Sequence, residues 1–297
     1  MKRVLVLMST YNGEKYIKKQ ILSILNQNGV YCDLLIRDDG SQDTTIPLIK
    51  YFEKNYSQRI KLIKGDNEGY KRSFVDLIYN ADNDYDYYAF SDQDDVWLPD
   101  KVKAGIEGIK DKNTPSLYYA MMTEVNENLD KLSKQQSFKS VPGYKEILFQ
   151  NFVQGSTIIF NNHFLRLVKT YRVKDEVPHD VFLPILAKYC GNIVGDHDSY
   201  ILYRKHEDAV TVKMKSNYFK NFVSEIFSDY KLTNYADILL AGYKKYIKKQ
   251  YIPYLEKVKN YRNIKNKVTL LCDKDIRKFT IKGTILLKMT IAFNKLK

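Results

Sequence analysis

Short runs of consecutive apolar residues alternate along the first two-thirds of the chain with stretches where apolar residues recur every three or four positions. Residues 3–8 (RVLVLM) form a β-branched and leucine run that predicts a buried strand. Over 14–26, Tyr16, Ile17, Ile21, Ile24 and Leu25 keep helical spacing. The same reading predicts strands at 33–36, 59–64, 85–91, 116–123, 153–160 and 200–204, and helices at 43–56, 70–79, 99–109 and 181–189. Pro99 stands where a first helical turn favours proline. Residues 124–143 are polar and without a clear period. Strands alternating with helices predict an α/β fold, a doubly wound, mostly parallel sheet with helices on both faces.

The pattern changes near the end. From Tyr218 onward it is helical, with Phe219, Phe222, Val223, Ile226 and Tyr230 in one stripe and Tyr243, Ile247, Tyr251, Leu255 and Val258 in another. Lys244, Lys245, Lys248 and Lys249 lie off the second stripe, and Pro253 is expected to break or kink its helix. The tail puts Ile285, Met289, Ala292, Phe293 and Leu296 on one face, with Lys282, Lys288 and Lys295 off it. Charge divides the chain in the same region. Residues 1–212 hold 28 Lys+Arg against 29 Asp+Glu, a net of −1, while 213–297 hold 20 against 6, a net of +14. The chain is therefore read as a domain over 1–212 and a basic amphipathic helical region over 213–297. Such helices either lie in a membrane interface, drawn by anionic lipid, or pack on their own domain. Lysines interrupt each apolar run, so none reads as spanning, and the run over 1–8 is too short and wrongly flanked for a leader. Cys32, Cys190 and Cys272 are odd in number and scattered, which argues against a disulfide framework or a zinc site and fits a reducing cytosol.

Three polar clusters fall at predicted strand ends: Ser9-Thr10-Tyr11-Asn12, Asp38-Asp39-Gly40-Ser41 and Asp92-Gln93-Asp94-Asp95. In open α/β sheets ligands bind outside the carboxyl ends of the strands. Residues two apart on a strand share a face, so Asp92 and Asp94 can converge. Two such carboxylates repel unless a cation sits between them, and a hard divalent ion, Mg²⁺ or Mn²⁺, is commonly held by one or two carboxylates plus substrate phosphates. Each cluster also has a plainer reading. Asp95 or Asp100 can cap the next helix, Asp39-Gly40-Ser41 is a common turn, and Asp180 can cap the helix from Val181. Arg72 can lie on a solvated helix face, and His206 is a lone histidine beside a basic strand end.

Taken in order, these motifs resemble a bacterial family 2 glycosyltransferase of the GT-A fold. The set runs Ser-Thr-Tyr-Asn-Gly-Glu, Asp-Asp-Gly-Ser-x-Asp-x-Thr, Asn-x-Gly, Ser-Asp-Gln-Asp-Asp-Val-Trp and His-Asp, over roughly residues 1–210. The Ser-Asp-Gln-Asp-Asp-Val-Trp form, with the later Tyr-Arg-Lys-His, is similar to the rhamnosyltransferase-like branch. The resemblance implies a mixed, mostly parallel sheet and a dTDP- or UDP-sugar donor, with L-rhamnose as one candidate sugar. It also implies inverting transfer to a saccharide acceptor on a polyprenyl diphosphate, in capsule, O-antigen or related surface polysaccharide. Thr10 and Tyr11 would contact the base, with Asp39 accepting from its ring N–H and Glu14 closing the pocket. Arg72 would sit near base or diphosphate, Asp92 near the ribose, and Asp94 on the metal. Asp180 would be the catalytic base, and His206 a ligand of the metal or a contact of the diphosphate. Phe182 stands where the family often has tryptophan, which bears on the acceptor pocket. The enzyme would work at the cytoplasmic face of the plasma membrane, held by its tail to the anionic inner leaflet, alone or as a homo-oligomer.

Rival readings make different demands. A sugar-phosphate nucleotidyltransferase needs a glycine-rich basic loop after the first strand, and here that loop is Ser-Thr-Tyr-Asn-Gly. A nucleic-acid-binding protein needs basic and aromatic residues interleaved on strands, whereas here they lie on predicted helices. An inactive scaffold would have no use for both Asp94 and Asp180.

Overall fold

The computed structural model describes residues 1–109, 111, 113–132, 140–173, 177–206 and 234–296. The stripe from Phe219 to Tyr230 lies outside them. The chain divides into two compact units, one of Met1–Phe138, Val153–Ala187 and Gly191–Lys205, the other of Lys139–Phe152, Lys188–Cys190 and His206–Lys297.

The first unit is built on β1 (Lys2–Thr10), α1 (Ile17–Leu25), β2 (Val30–Asp38), α2 (Thr45–Asn55), β3 (Ile60–Lys64), α3 (Tyr70–Asn80) and β4 (Tyr87–Ser91). Then come β5 (Val96–Trp97), α4 (Lys101–Gly108), β6 (Ser116–Val125), β7 (Ile159–Asn161), α5 (Asn162–Val168), α6 (His179–Cys190) and β8 (Asn192–Arg204). The strands form one eight-stranded sheet in the order β3-β2-β1-β4-β7-β6-β8-β5. β1 pairs in parallel with both β2 and β4, so the ends of β1, β2 and β4 open on one edge, with Thr10 opposite Asp38 and Met8 opposite Ser91. Alternation along β1 sends Val4, Val6 and Met8 to a core shared with Ile17, Ile21 and Ile24 of α1 and Ile49 and Phe52 of α2. On the opposite face Phe74 of α3 meets Phe90 of β4, ring centroids 5.6 Å apart, and Phe90 meets Phe160 at 5.3 Å. The sheet thus carries helices on both faces, as the alternation of strands and helices predicts.

Four elements of the first unit differ from the sequence-based expectation, one of them α5, which no predicted helix covers and which the Asn161 side chain caps by accepting the Phe164 N–H. Residues 153–160 are not one strand: Gly155–Thr157 is a 3₁₀ turn, and only Ile159–Asn161 pairs. Thr157 turns both its N–H (3.0 Å) and its hydroxyl (2.7 Å) back to the Gln154 carbonyl, which closes the turn on itself. β8 begins eight residues earlier than the predicted 200–204, because its polar stretch Asp196-His197-Asp198 hides the period. It pairs with β6 in parallel through two register shifts, and Asp196 accepts the Tyr118 hydroxyl at 2.6 Å. β5, two residues long and antiparallel to β8, is too short to leave a pattern.

The second unit contains α7 (Tyr235–Gly242), α8 (Ile252–Lys259), α9 (Ile264–Cys272) and α10 (Ile281–Ala292). Tyr243, Ile247, Leu255 and Val258 are buried as their stripe suggests, but not on one helix. Two 3₁₀ turns, Lys244–Tyr246 and Lys249–Tyr251, separate α7 from α8. Pro253 lies in the first turn of α8, where a missing N–H costs no helical bond, so it opens a helix and breaks none. Tyr144 stacks on Tyr251 (4.9 Å) and meets Tyr254 edge-on (5.4 Å). On α10 the buried positions are Leu287, Thr290 and Ile291, while Ile281, Ile285 and Phe293 are exposed. Leu296 follows the end of the helix and is buried, so it leaves the predicted face.

Candidate active site

The site is assembled where β1, β2 and β4 end. After β1 the chain turns through Asn12, whose φ is 47°. Asn12 N–H donates to the Ser41 hydroxyl (2.9 Å), and its own side-chain oxygen accepts Gln42 N–H (2.8 Å). Gly13 N–H donates to Thr45 Oγ1 at 2.7 Å, and the Glu14 carboxylate accepts the Thr44 N–H (2.9 Å) and hydroxyl (2.6 Å). Glu14 thus stitches the first loop to the second. Thr10 is buried, and its hydroxyl donates to Asp38 at 2.9 Å. Tyr11 is 43% exposed at the rim.

Within the second cluster the two aspartates divide their work. Asp38 accepts from Thr10, from the Ser41 hydroxyl (2.6 Å) and from Ser41 N–H (2.8 Å), which holds the turn closed. Gly40 takes φ +79° there, a conformation that other residues rarely adopt. Asp39 is buried; its Oδ1 accepts from Arg37 (2.5 Å) and Glu68 N–H (3.1 Å), and its Oδ2 from Gly69 N–H (2.8 Å). A carboxylate oxygen takes two donors, so Oδ2 has room for one more. Arg37 is buried as well and also reaches Ser73 (3.0 Å), Glu68 (3.2 Å) and Asp76 (3.1 Å). Arg72 lies on α3 within 4.0 Å of Glu68 and 3.9 Å of Asp76, its side chain 41% exposed.

The third cluster brings carboxylates together. The Asp92 carboxyl is pushed up to about 7, first by burial and then by the charges of Asp94 and Asp180. Asp180 therefore stands near the end of β4, although 87 residues separate it from Gln93 in the chain. It occupies the first turn of α6, where the helix dipole favours a negative charge. Tyr70 faces the same group; burial raises its hydroxyl's pKa first, followed by Asp180 and Asp92. Asp95 points inward, fully buried, and accepts the Arg204 N–H at 3.2 Å, while Arg204 Nε returns a bond to the Asp94 carbonyl at 2.8 Å. Burial, then Asp94 and Asp92, hold the Asp95 carboxyl well above the usual carboxylate range.

A family model described as glycosyl transferase family 2 matches residues 5–171, more than half of the chain. The chain belongs to glycosyl transferase family 2. This glycosyltransferase is 31% identical over 230 residues to the dTDP-rhamnosyl transferase RfbG of Shigella flexneri, across 71% of this chain and 76% of that one. It is 27% identical over 230 residues to an uncharacterized glycosyltransferase of Haemophilus influenzae, across 75% and 86%. Among solved structures it is similar to S. aureus TarS in complex with UDP-GlcNAc, with a TM-score of 0.57 at 17% identity over 87% of this chain and 70% of that one. The mannosyltransferase PcManGT of Pyrobaculum calidifontis, solved with GDP-Man and Mn2+, aligns with a TM-score of 0.55 at 12% identity over 98% and 75%. At these identities the likeness is one of fold, the GT-A fold.

The glycosyltransferase thus gathers Thr10, Tyr11, Glu14, Asp39, Asp92, Asp94 and Asp180 along one edge of its first unit. His206 follows β8 and belongs to the second unit. Among the described residues no group of three or more His, Cys, Asp and Glu side chains is set to hold a metal ion by itself. Two residues of the site escaped sequence reasoning. Arg37 belongs to no motif in the sequence, and only the fold reveals the three acidic side chains around it, Asp39, Glu68 and Asp76. His179 sits buried between Phe74 (4.0 Å) and Phe90 (4.5 Å), with no hydrogen-bond partner on either ring nitrogen, and burial lowers its pKa to about 3. It is a neutral wedge under the first turn of α6, beside Asp180.

Proposed function

We propose that this glycosyltransferase moves a sugar, with L-rhamnose the first candidate, from a dTDP- or UDP-sugar to a saccharide acceptor with inversion. The product would serve cell-surface polysaccharide synthesis. The observation that carries this reading is the crowding of Asp92, Asp94 and Asp180. The Asp92 carboxyl is pushed up to about 7, first by burial and then by the negative charges of Asp94 and Asp180, and a cation bound beside a nucleoside diphosphate would relieve that charge. The donor set, hard carboxylate oxygens, fits Mg²⁺ or Mn²⁺ shared with diphosphate oxygens. Asp94 is the proposed ligand. A divalent ion bound there would offset the charge that develops on the departing nucleoside diphosphate.

The chain's own groups account for the remaining steps. The Tyr11 ring offers a face to the base, and Asp39 keeps one acceptor position for its ring N–H. Asp92 is proposed at the ribose, and Arg72 at base or diphosphate. Asp180 takes the proton from the acceptor hydroxyl, for which it must come within about 3 Å. The attack comes from the side opposite the leaving group, so no second nucleophilic carboxylate is needed.

A lipid-linked acceptor is favoured by one relative, the UDP-Glc:alpha-D-GlcNAc-diphosphoundecaprenol beta-1,3-glucosyltransferase WfgD of Escherichia coli, 32% identical over 129 residues. The net +14 of residues 213–297 and the exposed Ile281, Ile285 and Phe293 of the second unit support peripheral binding to an anionic inner leaflet. Among the described residues no helix is long and apolar enough to cross a membrane. The test is calorimetry of dTDP- and UDP-sugars with and without Mn²⁺, paired with turnover. Asp94→Ala should abolish the metal-dependent part of donor binding. Asp180→Asn should bind donor normally and lose about a thousandfold in kcat. Full turnover in Asp180→Asn, or undiminished metal dependence in Asp94→Ala, would reassign those roles.

A further inference from the structure

We propose that Gln93 is a positioning residue that locks the loop meeting the donor's base to the turn meeting its diphosphate. The inference rests on the donor site proposed above. Gln93 lies between Asp92 and Asp94, yet its amide crosses to the first loop. Tyr11 N–H donates to Gln93 Oε1 at 2.9 Å, and Gln93 Nε2 donates to the Tyr11 carbonyl at 2.8 Å. The amide therefore pairs with the Tyr11 backbone as a neighbouring strand would, satisfying both its donor and its acceptor.

Gly13 makes room for this pairing. A Cβ built on it would fall 2.1 Å from Gln93 Oε1 and 2.6 Å from its Cδ, so any side chain there displaces the amide. Asn12, Gly13 and Glu14 are tied instead to Ser41, Gln42, Asp43, Thr44 and Thr45 of the second loop. The Gln93 pair is what ties Tyr11 itself to the carboxylate turn. A nucleoside diphosphate spans both regions, so a fixed distance between them pre-organises the two ends of one ligand. Tyr11 is 43% exposed, so water can take over its backbone bonds when the amide is removed. The loop then keeps its fold and loses its register.

The experiment is calorimetry of dTDP and UDP with Mn²⁺ on the full chain, with donor kinetics alongside. Gln93→Ala should weaken nucleoside diphosphate binding about tenfold, as expected for two lost hydrogen bonds of which water restores part. The loss should appear in KM for the donor more than in kcat. Gly13→Ala, which reaches the same amide from the other side, should reproduce it. A double-mutant cycle decides the mechanism. If the amide acts by placing Tyr11, Gln93→Ala in a Tyr11→Ala background should cost less than about twofold. Additive losses in the cycle, or wild-type affinity in both Gln93→Ala and Gly13→Ala, would overturn the proposal. Failure of the wild-type chain to bind either nucleotide would instead strike the donor site itself, and with it this inference.

Discussion

Lys101 is buried with its ammonium 3.7 Å from the Trp97 ring centroid and no hydrogen-bond acceptor. Burial lowers its pKa from 10.5 to about 7, only partly opposed by Cys32 and Asp95. The sign of the pH effect follows. Below pH 7 both folded and unfolded chains carry the charge, and the folded chain bears the full cost of burying it. Between about pH 7 and 10.5 the folded chain sheds the proton while the unfolded chain keeps it, so this residue's contribution to stability rises with pH. Lys101→Met should therefore stabilise the protein by about 1–2 kcal/mol at pH 6, less the lost cation–π attraction. That advantage should shrink as pH approaches 10.5. Denaturant melts of both proteins at pH 6, 8 and 10 check it, and an advantage that grows with pH would refute it. The sequence gives no sign of this burial, because a lysine at the start of a helix ordinarily faces water.

At the scale of elements, α6 decides where Asp180 stands. Pro178 precedes it, and Pro184 within it has no N–H for the Asp180 carbonyl four residues back. The first turn is held from below by His179 and by the Gly155 turn. A Cβ on Gly155 would fall 2.5 Å from His179 Nε2 and 3.5 Å from Asp180 Cβ. Gly155→Ala should displace the start of α6 and lower kcat at least about tenfold, with a smaller effect on binding of dTDP or UDP. Steady-state kinetics beside calorimetry will separate the two; unchanged kcat would mean that α6 absorbs the shift. Sequence reasoning read Gly155 as part of a strand, since an apolar buried turn and an apolar buried strand have the same composition. The helix expected from Val181 is present as α6, but it begins two residues earlier, so that His179 and Asp180 form its first turn instead of preceding it.

At the scale of the whole molecule, the question is what the exposed apolar residues of the second unit meet. α10 is apolar on two sides, one packed through Leu287 and Ile291, the other presenting Ile281, Ile285 and Phe293 to solvent. Ile264 and Val268 of α9 are exposed too. With the net +14 of residues 213–297, the occupant proposed for this surface is an anionic bilayer, where each inserted side chain would add apolar burial to the electrostatic attraction. Replacing Ile281, Ile285 and Phe293 together by serine should weaken sedimentation with phosphatidylglycerol-containing vesicles at least about tenfold, with donor turnover in solution retained. Equal binding of the triple variant would overturn the assignment of these three side chains to a bilayer.

The sequence by itself determined β1 to β4 with the helices between them, their alternation and the polar clusters at the ends of β1, β2 and β4, since period, punctuation and order are properties of neighbours along a chain. Only the tertiary structure decided that Asp180 joins Asp92 and Asp94, that Arg37 rests among Asp39, Glu68 and Asp76, and that Gln93 reaches Tyr11. Those meetings depend on strand register and on which face a helix packs, and both are set by contacts between residues far apart in the chain.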